Sequence, residues 1–196
     1  MLRKIPRIFV LLTLFSLFFP VGIGNSAINN QIDENELKIQ ELIQNMTPEE
    51  KVGQLFLVAF QGREITETSE IYDLIAKHHI GGVVLNIAND NFTSLNTVEN
   101  TYQLIKQIQQ IEWENSQTVN SEQNDSEPSN YIPMFVAISQ EGDSYPYNSI
   151  INGVTNLPSQ LAIGATWDLN LSEQVGNVLG KELSTLGINL LLGPSL

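Results

Sequence analysis

The sequence predicts an α/β fold built on a parallel β-sheet. Four short runs are apolar on both faces, at residues 55–60, 83–87, 134–138 and 188–192. Segments with apolar residues at helical spacing lie between them. Strands of this kind, separated by helices, are typical of a parallel sheet with helical crossovers. The pattern alone does not distinguish an open sheet from one that curls into a barrel.

The first helices have recognisable beginnings and ends. Residues 34–46 carry apolar side chains at helical spacing, and the next helix is predicted to begin at Thr47. The Thr47 hydroxyl can accept a hydrogen bond from the Glu50 N–H, while the Glu50 side chain reaches back. A further helix is predicted at 67–78, and Gly81-Gly82 is expected to end it.

The second half of the chain repeats this alternation. A helix before the third strand is marked by Leu95, Val98, Tyr102, Ile105 and Ile108. Residues 112–130 are rich in Ser, Asn, Gln and Glu, so we predict a solvated insertion there, with Trp113 packed at its base. The last helix is expected to begin after Asp168 and to end at Gly187 in the left-handed conformation.

The amino-terminal end is predicted to be a secretory signal peptide, covering residues 1–27. Three basic residues precede a nearly unbroken apolar run at 8–19, and small residues follow it. The run is shorter than the ~20 residues that a membrane-spanning helix needs, although an uncleaved N-terminal anchor is the alternative. Residues 28–35 are a polar connector, and 36–196 form the predicted domain. We therefore expect an exported protein, in the cell envelope or outside the cell.

Composition excludes several functional classes. The chain has no cysteine, which rules out disulfides, thiolate metal sites and a cysteine nucleophile. Its net charge is −13, and three of the nine basic residues lie in the predicted leader. The remaining surface is therefore more acidic still. It should repel nucleic acid and anionic membrane, so neither is a predicted partner, and no stable membrane association is expected after cleavage.

The sequence predicts no metal site and no cofactor. His78 and His79 are adjacent, so on a helix their side chains point roughly 100° apart and cannot chelate one ion. The early carboxylates Asp33, Glu34 and Glu36 lack the glycine-bearing loop of a calcium site. No oligomeric state follows from the sequence.

Four stretches together resemble glycoside hydrolase family 3. In chain order they are MTPEEKVGQL at 46–55, GGVVL at 81–85, ISQEG at 138–142 with LPS at 157–159 and AIGAT at 162–166, and finally Glu182-Leu183 with Gly187-Ile188-Asn189 and Pro194. The resemblance spans about residues 36–196. It implies the N-terminal half of a (β/α)8 TIM-type barrel, with about four of the eight β/α units, since a complete barrel has roughly 250 residues. The strands at 55–60 and 188–192 should then lie at the edges.

The resemblance also implies an activity. Its members hydrolyse O-glycosyl bonds of terminal β-linked sugars in carbohydrate metabolism by a retaining mechanism, without a cofactor, so the implied partner is a carbohydrate substrate. The implied nucleophile is an aspartate on a late barrel strand, and the acid/base follows it. Both are expected beyond Leu196, so no catalytic residue is assigned, and the 196-residue chain alone is expected to be a truncated, inactive form. The alternative is a non-catalytic or degenerate carbohydrate-binding member.

The substrate-binding candidates are Ser139, Glu141 and Asp143. Residues just after a barrel strand face the active mouth, and these follow the third strand. Family members usually have aspartate at the Ser139 position, and often Gly and Arg at the Asp143 and Ser144 positions. Serine should weaken binding of sugar hydroxyls, Asp143 can replace the lost carboxylate, and the missing Arg puts recognition of N-acetylated sugars in doubt. A plain strand-end turn, with Glu141 solvated or capping a helix, stays open.

Overall fold

The structure is a computed structural model that describes residues 34–117, 131–144 and 146–193. The predicted signal peptide and most of the predicted insertion lie outside these residues. Lys38–Leu196 forms one compact unit that contains the sheet, and only the start of the first helix is described from Met1–Leu37.

The elements alternate as the sequence predicts. In chain order they are α1 (Glu34–Asn45), α2 (Pro48–Gly53), β1 (Leu57–Ala59), α3 (Glu70–His78), β2 (Gly82–Val84), a 3₁₀ turn (Ile87–Asn89), α4 (Thr97–Ser116), β3 (Phe135–Ile138), α5 (Gln160–Ala165), α6 (Leu169–Thr185) and β4 (Leu190–Leu191). The prediction of an α/β chain is confirmed.

The four strands form one parallel sheet in the order β1-β2-β3-β4. One row of the sheet joins Val58, Val83 and Val136. At the last pairing, Ala137 stands beside Leu190. Among the described strands, β1 and β4 are the edges, as the half-barrel prediction requires. Because paired residues of parallel strands share a face, the register separates the sheet into two distinct faces.

One face of the sheet is covered by helices, and the other is covered only in part, with Ala137 buried there. Val83, Val136 and Ile138 point to the covered face and are fully buried. The core around them also contains Ile75 of α3 and side chains of α4, α6 and the connecting segments, namely Leu104, Ile105, Ile108, Ile111, Leu183, Leu186 and Ile188. On the other face, Leu57 and Phe135 are 44% and 53% exposed.

The predicted helix caps are confirmed. The Glu50 N–H donates to the Thr47 hydroxyl at 3.2 Å, and the Thr47 N–H donates to the Glu50 carboxylate at 2.7 Å. Asp168 precedes α6, and its carboxylate accepts from the Asn170 and Leu171 N–H groups. Gly187 follows that helix with φ 89°, in the left-handed region that glycine adopts at least cost. Local chemistry therefore fixes these ends.

Three predicted boundaries are corrected by the structure. The run at 55–60 narrows to three strand residues, and Leu55 is largely exposed before β1 begins. The helix predicted to stop at Gly81-Gly82 instead ends at His78, and His79 caps it with φ 46° while its N–H donates to the Ile75 carbonyl. Gly82 already belongs to β2, where a Cβ would lie 2.6 Å from the Phe135 Cβ. This glycine serves strand packing and not helix termination.

The third correction concerns the predicted insertion at 112–130. Helix α4 continues to Ser116, and Glu112 is buried with 1% exposure, so residue 112 is not solvated. Trp113 packs edge-to-face on Tyr131, with ring centroids 5.2 Å apart. Residues 118–130 lie outside the described part. No helix within the described ranges is long and apolar enough to cross a membrane.

Candidate functional site

The segment after β3 leaves the carboxyl edge of the sheet and folds back on itself. The Leu192 N–H donates to the Ile138 carbonyl at 2.8 Å, so the start of this segment lies beside the chain that follows β4. The Ser149 N–H donates to the Ser139 carbonyl at 2.9 Å, which closes residues 139–149 into a loop. In a parallel α/β sheet, ligands bind at this carboxyl edge.

Two buried amide side chains hold the loop in shape. Gln140 exchanges hydrogen bonds with the backbone of Ile150, at 2.8 Å to its carbonyl and 3.0 Å from its N–H. The Asn148 Oδ1 accepts from the Gly142 N–H at 2.8 Å. Gly142 has φ 95°, and a Cβ there would lie 2.2 Å from the Pro158 carbonyl oxygen. Buried polar groups that find partners in this way specify a single loop conformation.

Ser139 and Glu141 lie together between the ends of β3 and β4. The Ser139 hydroxyl donates to the Glu141 Oε1 at 3.4 Å, and both residues are partly buried. The Glu141 side chain passes Gly193, where a Cβ would stand 3.3 Å from the Glu141 Cγ. The Glu141 backbone N–H donates to the Tyr147 carbonyl at 3.2 Å. The structure thus brings two of the three candidates into one cluster at the carboxyl edge.

Asp143 has a different environment. Its Oδ1 accepts from the Ser159 N–H at 3.0 Å, and its own N–H donates to the Leu157 carbonyl at 3.0 Å. Ser159 in turn caps α5, so the Asp143 carboxylate ties the loop to the start of that helix. The neighbouring Ser144 donates to the Asn156 Oδ1 at 3.2 Å. A sugar contact by Asp143 stays a prediction, and one of its carboxylate oxygens has a structural partner.

A further residue at this edge was not predicted from the sequence. Asn91 is 2% exposed, and its Nδ2 donates to the Phe60 and Gly62 carbonyls at 3.1 and 2.6 Å. Its Oδ1 accepts from the Asn86 N–H at 2.8 Å. Asn91 therefore joins the loop after β1 to the loop after β2. Nothing in the sequence marks it, because it stands in a polar run where asparagine is common.

The loop presents hydrogen-bonding groups, but it does not present two carboxyl groups arranged for hydrolysis. Glycoside cleavage needs two carboxyl groups flanking the scissile bond. In this loop, Glu141 lies beside the Ser139 hydroxyl, while Asp143 is engaged by the Ser159 N–H. The Ser139 hydroxyl can donate to or accept from the hydroxyls of a small polar ligand, and the Glu141 carboxylate can accept from them. Within the described residues, no group of three or more His, Asp or Glu side chains is arranged to hold a metal ion.

Sequence comparison finds similarity to a beta-hexosaminidase and to a beta-glucosidase. It is 30% identical over 131 residues to beta-hexosaminidase A of Pseudoalteromonas piscicida, an alignment that covers 64% of this chain and 18% of that protein. It is 48% identical over 42 residues to the beta-glucosidase cel3A of Pyricularia oryzae, which covers 21% of this chain and 6% of that protein. The chain therefore spans less than a fifth of the length of these curated relatives.

Two solved structures of glycoside hydrolase family 3 proteins are similar to this chain. A glycoside hydrolase family 3 beta-N-acetylglucosaminidase from Paenibacillus sp. is similar with a TM-score of 0.62 and 29% identity, over 76% of this chain and 24% of that one. A fungal multi-domain family 3 beta-N-acetylglucosaminidase is similar with a TM-score of 0.61 and 27% identity, over 76% of this chain and 15% of that one. The family model described as the glycosyl hydrolase family 3 N terminal domain matches residues 47–196. With parallel strands in consecutive order and a match across most of its length, the chain belongs to glycosyl hydrolase family 3.

Proposed function

We propose that this protein is an exported glycoside hydrolase that removes terminal β-linked sugars with retention of configuration. The observation that carries the proposal is the family match across residues 47–196. It is supported by relatives that are named as a hexosaminidase and a glucosidase. The substrate class is accordingly a β-linked glucose-like or N-acetylhexosamine residue.

The proposal includes a barrel. Four parallel strands in consecutive order are what half of a (β/α)8 barrel contains. The open face of the sheet carries apolar side chains, including Leu57 and Phe135, which an opposite half of the barrel would cover. The similarity to the Paenibacillus enzyme supports this arrangement.

Within the described residues, we assign Ser139 and Glu141 to the wall of the sugar site. Their support is the shared position at the carboxyl edge and the hydrogen bond between them. Asp143 is the weaker candidate, because the Ser159 N–H already occupies one of its oxygens. Ser144 stands where an arginine would read an N-acetyl group, so its short side chain favours a glucose-like substrate.

In this proposal, Ser139 and Glu141 bind sugar and do not catalyse the reaction. No residue of the 196 is assigned as nucleophile or acid/base, since the family's groups are expected after Leu196. The 196-residue chain alone is expected to show no turnover. A longer product that carries the further strands of a barrel is expected to hydrolyse its substrate.

The test compares the two products with aryl β-glucoside and aryl β-N-acetylglucosaminide. The longer product should release the aryl group from at least one of them, and the 196-residue chain should stay at background. Titratable turnover by the purified chain would show that the catalytic groups are placed wrongly. A longer product inactive on both substrates would favour the second candidate function.

That second candidate is a carbohydrate-binding family member without catalysis, and Ser139 is the observation that favours it. A short uncharged side chain replaces the carboxylate that would hold sugar hydroxyls. Ser139→Asp restores that group, so sugar affinity measured by calorimetry should rise if the loop is a sugar wall. The matched control is Ser184→Asp, an exposed serine on α6 that lies outside this loop. Equal behaviour of both variants would contradict the assignment of the wall.

Export is a separate part of the proposal. It is supported by the basic residues and the apolar run at 8–19. Sequencing of the mature amino terminus should find a start between about residues 25 and 28. An intact Met1 recovered in the membrane fraction would identify the anchor alternative instead.

A further inference from the structure

A histidine and a glutamate meet at the amino end of the sheet, opposite the candidate site. His79 lies between α3 and β2, and Glu112 lies in the carboxyl-terminal part of α4. The His79 Nδ1 is 3.2 Å from the Glu112 Oε1, and their side chains are 14% and 1% exposed. The two residues are 33 positions apart in the chain. In barrel folds, this end of the sheet serves stability and not chemistry.

The backbone around the histidine is held in place. His79 adopts φ 46° and ends α3 through its N–H bond to Ile75. Its carbonyl oxygen accepts from the Gln54 Nε2 at 2.8 Å. The His79 backbone is therefore held by α3 and by the residue that follows α2, and the charge of its ring is the variable that remains.

The energetic cost of burying Glu112 depends on the charge of His79. The Glu112 Oε2 is buried and has no hydrogen-bond partner within the part of the chain that the structure describes. A buried carboxylate that loses its only charged partner is strongly destabilising. A positive charge on His79 thus offsets part of the cost of burying Glu112.

The surroundings of His79 favour its protonated form. The hydrogen bond to Glu112 raises the pKa of His79 above its usual value of 6.5, against the opposing effect of burial, and the charges of Glu112 and Glu50 add to the increase. Tyr131, from the segment before β3, also faces Glu112. Burial first, and then the Glu112 charge, raises the pKa of Tyr131, so Tyr131 stays neutral across the physiological range.

We propose that His79 and Glu112 form a proton-operated latch that ties the α3–β2 turn to α4 and tightens the amino end of the sheet in acid. Because the folded state binds the His79 proton more tightly than the unfolded state does, the latch contributes its full stability below pH 6.5. The contribution is lost as the pH rises through the folded-state pKa of His79, which lies above 6.5. This inference does not rest on the proposed hydrolase activity.

The sequence makes the latch testable, since its two histidines are neighbours and it has no cysteine. No other side chain has an unperturbed pKa between pH 5 and 8. The experiment measures the urea midpoint of the full chain from pH 5.5 to 8.5, for the native protein, His79→Gln and His78→Gln. His78 is exposed, so its variant is the matched control. The amino-terminal amine titrates equally in all three proteins.

The native chain and His78→Gln should lose stability as the pH rises from 6.5, and His79→Gln should lose that dependence. A His79→Gln protein that keeps the native pH dependence overturns the proposal. If His79→Gln does not fold, Glu112→Gln supplies the second variant, because it keeps the side-chain volume and removes the charge. NMR titration measures the pKa of the His79 ring in the folded native chain directly. A ring that titrates at or below pH 6.5 also overturns the proposal.

Discussion

The two faces of the sheet are built from the same kind of residue and have opposite surroundings. On β3, Val136 and Ile138 are fully buried under the helices, while their neighbour Phe135 is half exposed on the other face. Alternate residues of a strand point to opposite faces, so this contrast arises within four residues. Ala137, on the same face as Phe135, is buried, so the contacts within the described chain cover one face fully and the other face only in part.

The largest effect on the free energy of unfolding is expected from shortening a side chain on the covered face. Ile138→Ala removes a fully buried side chain from the hydrophobic core. Such substitutions cost about 2–5 kcal/mol, through lost burial and the cavity left behind. Chemical unfolding should show a correspondingly lower midpoint. Phe135→Ala on the open face is the comparison, and we expect it to cost about 1 kcal/mol or less. Equal losses would mean that both faces are covered in solution.

The exposed apolar face is expected to make the chain self-associate. Exposed apolar faces promote association, and neither edge strand carries a charge or a proline within its bounds. We expect the chain to self-associate, and Leu57→Ser with Phe135→Ser to shift it toward monomer in chromatography with light scattering. Leu169→Ser on α6, an equally apolar exposed position, is the control. A native chain that is already monomeric would contradict this prediction.

The smallest effect concerns the loop after β3, whose polar groups find partners within the chain. Asp143→Ala removes the acceptor for the Ser159 N–H and should cost about 1 kcal/mol. Asp143→Asn keeps an acceptor oxygen in the same place and should cost less. The midpoints of chemical unfolding measure both. If Asn is as damaging as Ala, the charge of Asp143 matters in a way that this hydrogen bond does not explain.

Local features of the fold were predictable because their causes are local. Thr47 and Glu50 form a capping box within four residues, and Asp168 caps its own helix. Strand lengths were overestimated because an apolar run such as 55–60 continues past the residues that pair. The burial of Glu112 was missed because its partner, His79, precedes it by 33 positions. No composition of a window reveals such a pairing.

The candidate site was predictable in position and less so in detail. Residues that follow a strand lie at its carboxyl edge, so Ser139 and Glu141 were expected at that edge, while their role in sugar binding stays a prediction. The separate tie of Asp143 depends on Ser159, which returns from a distant turn. The clamp made by Asn91 also joins two loops that sequence reasoning treats independently. What failed to follow from the sequence is, in each case, a contact between segments.

The consecutive strand order has a kinetic consequence. Each strand pairs with the strand that precedes it in the chain, so no pairing has to wait for a later segment. Chains emerge amino end first during synthesis, and low separation between partners speeds folding. We therefore expect β1, α3 and β2 to assemble as an early unit, onto which α4 with β3, and then α6 with β4, add in turn. The order of synthesis and the order of assembly then coincide.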